Sequence, residues 1–228
     1  MKTRRFTLIS ECDSLPISVM ACMPDEGCPK AILQISHGMC GCKERFLPFM
    51  KYMADHEVAC VANDHRGHGA SVLSPEDLGY MYKGGGEALV GDMVQVTFWI
   101  NKAFPDTPVY LLGHSMGSMA ARVYVQRHDD LIKGLILCGS PSWNPLATFG
   151  YLLTGAMSLF GGDRQRPAFI SDLVSSIYNR RFASEGPQAW VCSDPNVRLE
   201  YANNPMCNYV FTVNGMHNLM SLMNMTYR

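Results

Sequence analysis

An α/β fold built on a mostly parallel sheet is predicted by three features of this 228-residue chain. Short, almost continuously apolar runs alternate with stretches whose apolar residues fall at helical spacing, the pattern of strands buried between helices. One such run, Val109 to Leu112, leads through Gly113-His114-Ser115-Met116-Gly117 into a helical stretch, Ser118 to Gln126. After Ser140-Pro141-Ser142 the alternation gives way to irregular helical stretches broken by glycines and prolines.

Taken in order, Phe6–Ile9 and Leu15–Met23 read as an N-terminal hairpin, and Lys30–Ser36 as a buried strand ending at His37-Gly38. Phe46 to His56 carries Phe46, Phe49, Met50 and Met53 at helical spacing and precedes a strand at Val58–Ala62. Gly86 to Phe104 presents the stripe Leu89, Val90, Met93, Val96, Trp99 and Ile100. The strand of the serine motif, its helix and the strand Gly134–Cys138 complete a β-α-β-α-β-α-β alternation, which requires helices on both faces of the sheet. Residues 1–142 are therefore the core of the fold. Residues 143–212, with Leu152, Leu153, Met157, Leu159 and Phe160 clustered together, read as an inserted helical cap. Residues 213–228 read as an amphipathic helix returning toward the core.

Composition excludes several classes. With 47% hydrophobic and 17% charged residues the chain is globular. A net charge of −1 gives no electrostatic case for nucleic acid or an anionic membrane surface. The basic N-terminus lacks the apolar stretch of a signal peptide, and no run is long enough to span a bilayer. Nine cysteines, an odd number without paired zinc spacing, point to free thiols and a cytoplasmic location, with no metal and no cofactor. The sixteen methionines are expected to serve as adaptable packing; a flexible apolar surface for acyl chains is the sharper alternative.

The chemistry concentrates at Ser115. A G-x-S-x-G turn between a strand and a helix forces the serine into a strained backbone and raises its Oγ at the carboxyl edge of the sheet. Two amides must face the oxyanion that forms when such a serine attacks a carbonyl. Met116 N–H, next to the serine, is one candidate. Met39 N–H, in the His37-Gly38-Met39 turn, is the other. Asp64-His65-Arg66-Gly67-His68-Gly69 invites a metal reading, but two histidines on a glycine-rich loop lack a helical face to aim both rings, so a loop-shaping role is expected. His114 is expected to pack beneath the sheet, away from Ser115, and His56 and His128 at the surface.

Together, His37-Gly38-Met39, the Asp64-to-Ser71 segment, Gly113-His-Ser-Met-Gly117 and the cap after Ser140-Pro141 resemble the α/β-hydrolase superfamily. Within it they resemble the monoacylglycerol lipase and lysophospholipase group of the serine aminopeptidase S33-type hydrolases. The resemblance implies an α/β-hydrolase fold and a Ser–Asp–His triad in that chain order. It also implies lipid-like carboxylic esters as substrates, an acyl-enzyme on Ser115, and transient contact of the cap with a membrane surface. Peptidase and thioesterase chemistry use the same scaffold. The resemblance also implies an acid and a histidine on strands after the cap. Asp194 and His217 have no preceding strand and read instead as satisfied or exposed polar residues. The expectation is that the last two strands, with the triad acid and base, are missing, leaving an inactive, aggregation-prone chain with Gly134–Cys138 as an open edge. The alternative is a non-catalytic pseudoenzyme or acyl-binding protein.

Overall fold

The computed structural model describes residues 1–169, 176, 179–186 and 188–227. Six strands form one sheet: β1 (Lys2–Ile9), β2 (Pro16–Met23), β3 (Ala31–Ser36), β4 (Val58–Asn63), β5 (Val109–His114) and β6 (Gly134–Cys138). Their order across the sheet is β1-β2-β4-β3-β5-β6. The β1–β2 and β2–β4 pairs are antiparallel; β4–β3, β3–β5 and β5–β6 are parallel. The mostly parallel sheet expected from the alternation is therefore present, and β1 starts four residues earlier than its apolar pattern suggested. Lys2 to Arg5 pair with Met20 to Met23 through backbone hydrogen bonds, which need no apolar side chain.

Helices cover both faces, unequally. On one side lie α2 (Gly85–Ala103) and α3 (Met116–His128). Leu89, Val90, Met93, Val96 and Ile100, the stripe read from the sequence, are all buried there. Trp99 is only half-buried and packs against Phe6 of β1 with ring centroids 4.3 Å apart. On the other side α1 (Leu47–Asp55) seals β2, β3 and β4 through Met50 and Ala54. Phe49, expected in that seam, faces solvent instead: Met50 and Ala54, four residues apart, define the buried edge. Beyond α1, the β5–β6 half of this face is open, with Tyr110 and Ile136 exposed, and β6 is the outer strand.

Past β6 come α4 (Leu146–Leu159), α5 (Pro195–Asn203) and α6 (Val213–Thr226). Thr212 caps α6 by accepting from Gly215 N–H, while its hydroxyl donates to Gly79 O. Met216, Leu219, Leu222 and Met225 then join the cluster formed by α2 and α3. This explains the Gly84-Gly85-Gly86 run that opens α2: a Cβ on Gly85 would stand 1.7 Å from Asn218 Oδ1 of α6. The methionines at these positions pack a core. The exposed side of α4 is different in kind, since Leu146, Phe149 and Leu152 lie there in water. No helix among the described residues is long and apolar enough to cross a membrane.

Candidate active site

Parallel β3, β4 and β5 end at one edge of the sheet, where ligands bind in folds of this kind. Ser36, Asn63 and His114 are their last residues. Ser115 follows β5 with φ 53° and ψ −118°, a left-handed backbone that costs a serine about 1–3 kcal/mol. Hydrogen bonds to its backbone hold it there. Ser115 N–H donates to Cys138 O at 2.9 Å, and Ser118 Oγ donates to Ser115 O at 2.6 Å.

The glycines explain how so sharp a turn fits. A Cβ on Gly117 would lie 2.1 Å from Ser36 O and 2.6 Å from His37 O, so α3 starts in contact with the end of β3. A Cβ on Gly113 would meet Gly117 O at 2.5 Å. Gly38 lets the β3 loop come so close that a Cβ there would be 3.0 Å from Ser115 Cβ. Met116 opens α3, so its amide has no intrahelical acceptor. Met39 sits in the loop beside the serine, half-buried, and Cys40 turns that loop with φ 50°.

Beneath the serine lies a buried polar support. His37 Nε2 accepts from His65 N–H at 2.9 Å, so Nδ1 carries the proton and donates to Gly38 O at 2.8 Å. Ser36 Oγ donates to Gly117 O at 3.3 Å and takes the Nε2 proton of His65 at 2.9 Å. His68 Nδ1 donates to Arg66 O. The rings of His37 and His65 are 4.3 Å apart, and those of His37 and His68 are 5.2 Å apart. The histidines of the Asp64–Gly69 loop thus brace the His37-Gly38 turn, which is the loop-shaping role read from the sequence.

Three ion pairs lock the same loop. Asp64, fully buried, accepts from Lys43 Nζ at 2.6 Å, from Lys43 N–H and from Ala70 N–H. Arg66, also fully buried, pairs with Asp92 of α2 at 2.9 Å and with Asp13 at 3.0 Å. Sequence reasoning missed Lys43, Asp92 and Ser36. Asp92 left a signal: it stands between Leu89 and Val96 on the core side of α2, where a carboxylate needs a cation. Lys43 left none.

Burial holds all three histidines neutral: His37 is lowered to about 4 and His68 to about 3, and His65 lies well below the ordinary imidazole value. The unfolded chain binds protons that the folded one refuses. Stability is therefore full above the ordinary value of 6.5 and is lost as pH falls from there toward 4. We expect each histidine to cost about 2 kcal/mol by pH 5, read as a fall in the urea midpoint between pH 7.5 and pH 5. An unchanged midpoint would contradict this.

The remaining histidines are engaged elsewhere. His114 is partly buried on the α1 face, edge-on to Phe46 at 6.3 Å. His56 Nδ1 bonds to Tyr52 O, and His128 lies against Tyr124. His217 of α6 stacks on Tyr151 of α4 at 4.2 Å and bonds to Tyr151 O at 3.1 Å. Asp194 caps α5 by accepting from Asn196 N–H at 2.8 Å. A hollow of about 470 Å³ lined by Asp106, Pro108, Asp130 and Lys133 sits at the amino ends of β5 and β6, opposite Ser115. Among the described residues, no group of three or more His, Cys, Asp or Glu could hold a metal ion.

Comparison with known proteins decides the family. The profile described as serine aminopeptidase, S33, matches residues 27–228. The chain belongs to this family. Among curated relatives of this S33 chain, mouse monoglyceride lipase is 31% identical over 114 residues, 49% of this chain and 35% of the mouse protein. Human monoglyceride lipase is 30% identical over 111 residues. The match thus spans about a third of the length of these relatives. Among solved structures, a thermostable carboxyl esterase from Bacillus coagulans superposes with a TM-score of 0.87 at 24% identity, covering 98% of this chain and 73% of that one. A soluble variant of monoglyceride lipase from Saccharomyces cerevisiae superposes with a TM-score of 0.69 at 17% identity, covering 97% and 67%. These likenesses establish the α/β-hydrolase fold of the S33 chain.

Proposed function

We propose that the chain carries the nucleophile of a serine hydrolase of carboxylic esters, acting through an acyl-enzyme on Ser115, with monoacylglycerol or lysophospholipid-type esters as substrates. The observation that carries this reading is the Ser115 backbone, held at φ 53° where β5 meets α3. Ser115 Oγ attacks the acyl carbonyl, and the amides of Met39 and Met116 take the developing oxyanion. Similarity to the monoglyceride lipases supports the lipid-like substrate. The apolar outer side of α4, with Leu146, Phe149 and Leu152 exposed, supports transient contact of this cap with a lipid surface.

None of the seven histidines in residues 1–228 is hydrogen-bonded to Ser115 in this structure. His37, His65 and His68 are spent on the loop beneath the serine, and His217 is held by Tyr151. The same accounting favours a second reading, a non-catalytic acyl-binding protein on this scaffold.

An alkyl phosphonyl fluoride tests the first reading. The adduct should map to Ser115 by peptide mass, form faster when imidazole is added as a base, and be absent from Ser115→Ala. Adducts spread over other serines, or none at Ser115, would defeat it and leave the acyl-binding reading. For the cap, Phe149→Asp with Leu152→Asp should abolish cosedimentation with monoacylglycerol-containing vesicles; undiminished binding would refute the lipid contact.

A further inference from the structure

The two outer strands of the sheet, β1 and β6, differ in charge. β1 carries Lys2, Arg4 and Arg5 exposed, cations of the kind that keep a further strand from pairing at an edge. β6 has no such guard. Its five residues, Gly134-Leu135-Ile136-Leu137-Cys138, are uncharged, and no charged residue falls between Lys133 and Asp163. Ile136 is 46% and Leu137 42% exposed, and among the described residues no strand pairs with the outer side of β6. Beyond Cys138, Gly139 at φ 56° turns the chain out of the strand, and the Tyr227 hydroxyl at the end of α6 donates to Pro141 O.

We propose that β6 is a self-association edge, through which two copies of this chain pair antiparallel about a two-fold axis at Ile136 into one continuous sheet.

The sequence of the strand selects a second copy as its occupant, because about Ile136 it is its own complement, as a two-fold contact requires. Ile136 faces Ile136 of the second copy, Leu135 faces Leu137, and Gly134 faces Cys138. Side chains alternate across a strand, so these pairs divide between the two faces of the sheet. On the α2–α3 face, Leu135 packs on the core while Leu137 is exposed, and pairing sets each exposed Leu137 beside a seated Leu135. On the opposite face, Gly134 lies beside Tyr110 of β5, where a Cβ would stand 3.1 Å from the ring. The Cys138 side chain of the second copy arrives next to that exposed ring. Two β1 edges would instead set cations against cations. An edge of five residues is short beside the about 800 Å² per partner of a standard interface, so the dimer dissociates on dilution. Cys138 O accepts from Ser115 N–H, so pairing braces the serine turn through the strand that holds it.

Sedimentation of the chain over a micromolar concentration range tests this. The mass should rise from 25.3 kDa toward twice that value, with no larger species. Ile136→Lys sets two ammonium groups against each other at the axis and should hold the chain monomeric at every concentration. Ile136→Cys reads the register directly: mild oxidation should join two chains through that position, while the natural Cys138 thiols, each facing Gly134, stay unlinked. Thr7→Cys, exposed on β1, should give no link between chains. The oxidation result decides even if the lysine variant fails to fold. A monomer at every concentration would overturn the proposal and leave the edge to a different protein. A dimer unchanged by Ile136→Lys, a link through Cys138 or Thr7→Cys, or open-ended growth would overturn it as well.

Discussion

The 228-residue chain on its own is expected to hydrolyse a short-chain nitrophenyl ester on the order of 10⁶-fold more slowly than a serine hydrolase with its base in place. A serine hydroxyl is a weak nucleophile until a neighbouring base takes its proton. Here the backbone poses Ser115, and none of the seven histidines is hydrogen-bonded to it. What remains are the proposed oxyanion donors, the Met39 and Met116 amides, and substrate binding, which in a serine hydrolase stripped of its base sustain on the order of 10³–10⁴ over water. Ser115→Ala should then change the chain's own rate little, whereas added imidazole should raise hydrolysis above the imidazole background only when Ser115 is present. Ordinary enzyme turnover abolished by Ser115→Ala would mean that a histidine in this chain does reach the serine. If His217→Ala abolished it as well, the tether to Tyr151 would have to break during the reaction.

The parts of this site that were legible in the sequence are those set by local backbone chemistry. Gly113, Ser115 and Gly117 encode a turn whose steric demands are met within a few residues, so the motif and its flanking runs place Ser115 unaided. Gly38 was legible for the same reason. The long-range contacts were not. Nothing near Lys43 announces that its ammonium will reach Asp64, because that pairing exists only once β3 and β4 lie side by side. Phe49 shows the opposite failure: its helical spacing is correct, yet α1 is turned so that Met50 and Ala54 meet the sheet.

Removing the Asp64 carboxylate should be the most damaging single change to stability. Asp64→Ala leaves the Lys43 ammonium, 2% exposed, without its buried counter-charge, and leaves the Lys43 and Ala70 amides without an acceptor. Breaking a buried pair from one side costs about 3–5 kcal/mol, a large share of the 5–15 kcal/mol that holds a typical domain folded. The damage should be local as well as global. Gly69 packs directly on the Asp64 carboxylate, where a Cβ would stand 2.3 Å from it, so the loop loses the group around which it is wound. His65 and His68 belong to that loop and brace the His37-Gly38 turn. Urea denaturation should show a lower midpoint, and phosphonylation of Ser115 should slow even under conditions where the variant stays folded. A comparison variant separates charge from packing. In Asp64→Leu combined with Lys43→Met neither buried charge remains, so it should recover most of the lost stability. Equal destabilisation of the single and double variants would show that the hydrogen bonds to the Lys43 and Ala70 amides, rather than the ion pair, hold this loop beneath the serine.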